Sequence, residues 1–92
     1  MGDKWFEFKV DSKLENLTRI GEFIVKTMKL LGIKNSKDIY AVQLAVDEAS
    51  TNIMEHAYSG KNKGQILIRC MLNNLDNDFI VNIKTSGDSP FF

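Results

Sequence analysis

The spacing of apolar residues changes twice along this chain, from two to between three and four and back to two. Trp5, Phe6, Phe8 and Val10 are interleaved with Glu7 and Lys9, an alternation that predicts a half-buried first strand. Leu14, Leu17, Ile20, Ile24, Met28 and Leu31 then recur at helical spacing, with Phe23 and Val25 broadening the same stripe. Ser12-Lys13-Leu14-Glu15 has the spacing of a capping box and predicts where that helix begins; Gly32 predicts where it stops. Ser36 is the expected N-cap of a second helix, with Asp38 in its first turn. Val42, Ala45, Val46, Ala49, Ile53 and Ala57 form its apolar face, carrying it to about Tyr58. The stretch Gly60-Lys61-Asn62-Lys63-Gly64 breaks the helix. From Gln65 to Leu72 the period returns to two, with Ile66, Ile68, Cys70 and Leu72 on one side. Asn73 to Asp78 is a polar turn, and Phe79, Val81 and Ile83 begin a partner strand. Strand, helix, helix, strand, strand describes helices laid on one face of a sheet, an α+β two-layer α/β sandwich forming a single domain over residues 1–92.

Composition narrows the range of partners. Twelve Lys and Arg balance twelve Asp and Glu. The chain therefore lacks the basic surplus of a nucleic-acid binder or of a polybasic membrane-surface segment. One cysteine, Cys70, cannot close an internal disulfide, and one histidine is too few for a four-ligand zinc site. No apolar run approaches the ~18 residues of a membrane span. Phe6 stands where a myristoylation signal needs Ser or Thr. The expectation is a cytoplasmic protein with neither nucleic acid nor membrane as partner.

Chemistry concentrates on the second helix. Glu48, Asn52 and His56 are spaced four apart, each step advancing about 40° around a helix, so the three form one slanting row. The row flanks the stripe of Val42, Ala49 and Ile53, at the expected seam between core and solvent. An amide oxygen there is a hard ligand for magnesium, and a neighbouring carboxylate can orient or deprotonate a hydroxyl. The same spacing also describes a plain solvated edge, but mid-helix Asn competes with the backbone for hydrogen bonds and calls for a reason.

The stretch from Ala45 to Tyr58, with Glu-x-x-x-Asn-x-x-x-His-Ala-Tyr complete at 48, 52, 56, 57 and 58, resembles the N box of the anti-sigma factor serine/threonine kinases. These belong to the GHKL superfamily of histidine-kinase-like ATPases. Asp38-Ile39 and Val42-Gln43-Leu44-Ala45 carry the likeness upstream. The resemblance implies a Bergerat-type fold, Asn52 as ligand of the magnesium of bound ATP, and Glu48 as the general base acting on a hydroxyl. It places His56 near the phosphates or in a structural role at the helix end. Thr85-Ser86-Gly87 followed by Pro90-Phe91 is similar to the family's Asp-x-Gly motif, with Gly87 matching and Thr85 standing where the adenine-binding aspartate is expected. A threonine hydroxyl can still accept a hydrogen bond. Losing the charged acceptor costs roughly 1–2 kcal/mol, about ten- to thirty-fold in affinity.

The family continues into a lid, a second glycine-rich phosphate motif and closing strands, so the resemblance implies a domain incomplete at its C-terminus. Helix N-termini and glycine loops supply much of any phosphate site. Two functions remain open. One is an anti-sigma-type kinase that phosphorylates a small anti-anti-sigma-like protein and sequesters a sigma-like regulator. The other is a catalytically impaired protein-binding module of the same fold. The resemblance also implies a homodimer and places Arg19, near the start of the first helix, at a partner contact, where a solvated arginine is the plain alternative. Gly60 to Gly64 lacks P-loop spacing, residues 73–78 lack the spacing of a calcium loop, and Cys70 on a strand face reads as a small buried hydrophobe.

Overall fold

The computed structural model describes residues 4–56 and 64–86. In chain order these form β1 (Phe6–Asp11), a 3-10 turn over Leu14–Asn16, α1 (Leu17–Leu30), α2 (Ser36–His56), β2 (Gln65–Asn73) and β3 (Asp78–Ser86). The strands make an antiparallel sheet in the order β1-β2-β3. The expected α+β class with helices against an antiparallel sheet is what forms.

Register brings the helix-facing residues into line. Phe8 pairs with Ile68 and Ile68 with Ile83; Val10 pairs with Ile66 and Ile66 with Thr85; Cys70 lies between Phe6 and Val81. As the central strand, β2 buries Ile66, Ile68 and Cys70 completely. Ile20, Ile24 and Met28 of α1, with Ile39 and Val46 of α2, close over them. Phe8 stacks on Phe23 with ring centroids 5.2 Å apart, tying β1 to α1. On the opposite face of the sheet Glu7 pairs with Arg69 at 3.0 Å, and the Arg69 guanidinium lies over the Trp5 ring. Met71, on that face, is also buried, which strict alternation did not anticipate.

Helix termini depart from expectation in two places. The capping box does not form: the Ser12 hydroxyl is buried without a hydrogen-bond partner among the described residues, and α1 begins at Leu17 after the 3-10 turn. Ser12 is drawn inward because its amide donates to the Gly64 carbonyl at 3.2 Å, extending the β1–β2 pairing past Asp11. Leu14, displaced from the helix proper, is half exposed instead of belonging to the core stripe. At α2 the capping side chain is Asn35, one residue before the expected Ser36; its Oδ1 accepts from the amides of Lys37 at 2.9 Å and Asp38 at 3.2 Å. The stop at Gly32 is as expected. Gly32 takes φ +92, its amide donates to Lys29, and the Ile33 amide donates to Met28, the paired bonds of a Schellman cap. The β2–β3 turn closes through Asn77 at φ 59, with Leu75 projecting into solvent at its tip.

Candidate functional site

The helix α2 carries its core contacts on Ile39, Val46 and Ser50, which are buried, and on Val42, Ala49 and Ile53, which are partly so. Ala45, expected in the core, is exposed. It helps line an apolar groove of about 380 Å³ between α2 and β3, with Ala41, Val42 and Val46 on the helix wall and Phe79, Val81 and Ile83 on the strand wall. A methyl group at 41 and 45 leaves the gap that a larger side chain would fill.

Glu48 and Asn52 extend this wall. Each follows a groove-lining alanine by seven residues, two helical turns, which returns to within about 20° of the same bearing. Glu48 thus continues the line of Ala41, and Asn52 the line of Ala45. Both are exposed, on the solvent side of the half-buried Ala49 and Ile53, so they stand beyond the expected seam and not in it. Among the described residues neither is engaged in a salt bridge or side-chain hydrogen bond. Opposite, Thr85 follows Ile83 by two and therefore lies on the helix-facing side of the sheet; its hydroxyl-bearing side chain is exposed.

His56 is the last residue of α2, and its side chain lies outside the described set. Ala57, Tyr58, the turn at 60–63, Gly87 and Pro90-Phe91 also fall outside the described residues. Arg19 is exposed on α1, with its guanidinium 6.0 Å from the centroid of the Phe8 ring, at the β1 side of that helix. The structure thus carries Glu48 and Asn52 on one helix wall and Thr85 on the sheet that faces it, while Arg19 sits apart on α1.

Sequence reasoning assigned Ala45 to the core face and did not single out Ala41. Their signal was present as a four-residue spacing of small side chains, Ala41 and Ala45, leading into Glu48 and Asn52. It also passed over Ser50, whose hydroxyl, on the core side of the same helix, is buried without a partner among the described residues.

The donor set can be tested against a nucleotide's magnesium. A solvent-accessible amide oxygen at Asn52, free of competing bonds among the described residues, is a suitable hard ligand, and the ion would keep most of its water shell. No group of three or more His, Cys, Asp or Glu side chains gathers as a metal cage among the described residues.

Two helices layered on an antiparallel sheet, with a polar row carried past an apolar groove on the longer helix, make an α+β two-layer architecture. The family model for the histidine kinase-like ATPase domain matches residues 10–91, and the chain belongs to that family. A comparison with curated proteins gave no match. Membership implies nucleotide binding as the family's general property.

Proposed function

We propose that this chain is an anti-sigma-type serine/threonine kinase domain. The reading rests on one observation: the full pattern Glu48, Asn52, His56, Ala57, Tyr58 on a chain of the histidine kinase-like ATPase family, with Glu48 and Asn52 both presented to solvent. In this reading the Asn52 amide oxygen holds the magnesium that accompanies ATP, which screens the charge of the transferring phosphoryl group. Glu48 takes the proton from a serine or threonine hydroxyl of a small anti-anti-sigma-like protein. Thr85 accepts a hydrogen bond from the adenine, and Gly87 belongs to the same nucleotide-binding motif. Arg19 contacts the protein partner, a sigma-like regulator is held in the alternative complex, and the working unit is a homodimer.

Calorimetric titration of ATP, with and without magnesium, into the native chain and Asn52→Ala tests this directly. The expected result is saturable, magnesium-dependent binding that Asn52→Ala abolishes, with Glu48→Ala retaining binding but losing phosphoryl transfer. Unchanged transfer in Glu48→Ala overturns the base assignment.

A second reading is favoured by Thr85. With a neutral hydroxyl in the adenine-recognition position, the domain would act in partner switching as a protein-binding module without kinase chemistry. Absence of binding heat at millimolar ATP, with the chain folded, is the outcome that this alternative expects.

A further inference from the structure

A second concavity lies on the far side of the helix layer from the sheet, and the reading above does not use it. It runs between α1 and α2, has a volume of about 400 Å³, and is lined chiefly by Leu17, Gly21 and Glu22 from α1 and by Tyr40, Leu44 and Asp47 from α2. Its floor exists because position 21 has no side chain: a Cβ there would meet the Gln43 amide nitrogen at 3.0 Å. The apolar residues of its rim are left to solvent, with Tyr40 64% and Leu44 44% exposed. Large apolar side chains at one concave place are a mark of a binding surface, whereas isolated ones are not.

Charge selects the occupant. The charged side chains lining the groove are Glu22 on one wall and Asp47 on the other, both exposed, and no Lys or Arg lines it among the described residues. The nearby cations of α1 are directed elsewhere: Arg19 lies over the Phe8 ring, and Lys26 lines a separate depression at the other end of the helix. A chain with no net charge thus presents a trough of mixed lining, Leu17, Tyr40 and Leu44 beside Thr18 and Gln43, with a carboxylate on each wall. A trough between two packed helices accepts a third helix by the same ridge-and-groove geometry.

We propose that the α1–α2 groove docks a basic amphipathic helix of a protein partner, its leucine-type ridge on Leu17, Tyr40 and Leu44 and its Lys or Arg flanks against Glu22 and Asp47. The proposal does not depend on nucleotide chemistry, since the groove lies on the opposite side of the helix layer from the α2–β3 groove.

The probe is a fluorescein-labelled 16-residue helical peptide with leucines at i, i+3, i+4 and i+7 and lysines flanking them, compared with its glutamate-flanked counterpart. Fluorescence anisotropy with the full chain should show the lysine peptide binding at least tenfold more tightly, with amide NMR shifts confined to 17–22 and 40–47. Glu22→Lys combined with Asp47→Lys should reverse the preference, whereas Asp76→Lys combined with Asp78→Lys, which changes net charge equally at the distant hairpin, should leave it intact. Thermal melts check that each pair folds. Equal binding of both peptides overturns the proposal, as does equal weakening by the two charge-reversed pairs, or shifts centred on other residues. Concentration-dependent shifts of the same amides without peptide would assign the groove to a second copy of the chain and overturn it equally.

Discussion

Cys70 shows how far a single side chain is governed by its surroundings. It is wholly buried on β2 between Phe6 and Val81, and burial pushes its thiol up to about 11 from an ordinary value of 9.0. A thiol with that pKa is about one part in a thousand ionised at pH 8, and the thiolate is the reactive form. Iodoacetamide at pH 8 should leave the folded chain unmodified for hours and alkylate it within minutes in denaturant; rapid modification of the native chain would contradict this. The shift also couples to folding. Because the native state disfavours the thiolate, the unfolded chain loses its proton first as pH rises through 9, and stability falls until the folded thiol titrates near 11. The expected loss is up to about 2–3 kcal/mol across that interval. A Cys70→Ala variant, though less stable at neutral pH, should show a shallower decline in urea melts between pH 8.5 and 10.5.

At the scale of elements, the helix ends are where local pattern and observed structure diverge, and they make a matched test. Asn35 accepts from two amides at the start of α2, and Ser36 next to it is simply the first helical residue. Asn35→Ala should cost about 1 kcal/mol and Ser36→Ala only a few tenths, measured by urea denaturation. Equal costs would mean that the two residues share the cap. At the C-terminus of α1, Gly32 holds φ +92 with open space around it. Replacement by Ala there meets no clash but strains the backbone, and should destabilise by roughly 1 kcal/mol. Periodicity located both helices correctly. It misjudged their starts because Ser12 and Ser36 each fit a capping pattern that a competing hydrogen bond, to Gly64 in one case and through Asn35 in the other, overrode.

Across the whole molecule, stability is concentrated in the central strand. Ile68 is fully buried, with Phe8 and Ile83 as its strand partners. Ile68→Ala should cost about 2–5 kcal/mol, a large share of the 5–15 kcal/mol typical of a domain. Leu67, adjacent in sequence but half-buried on the other face, should cost clearly less when cut to Ala. Equal losses in urea melts would mean that the outer face is covered as well as the inner one. The β3 strand is bonded on one side only among the described residues, which leaves an edge available for pairing. The homodimer proposed above should be visible as a doubling of mass by light scattering at high concentration, and a strict monomer would remove it.

Much of this protein was legible before folding is considered. Alternation at Ile66, Ile68 and Cys70 and the stripe at Ile20, Ile24 and Met28 determine element type and core face, because burial of apolar surface is the dominant force and its period is written locally. The Glu48, Asn52 and His56 row was equally plain, since residues four apart on one helix must neighbour one another. Contacts between elements were not legible. That Ala45 opens onto a groove instead of filling the core depends on how far α2 stands from β3. That Glu48 and Asn52 project past that groove into solvent depends on how the helix is rotated against the sheet. Helix rotation and spacing are set by the summed packing of Ile39, Val46 and Ser50 against side chains distant in sequence, and no local pattern encodes that sum.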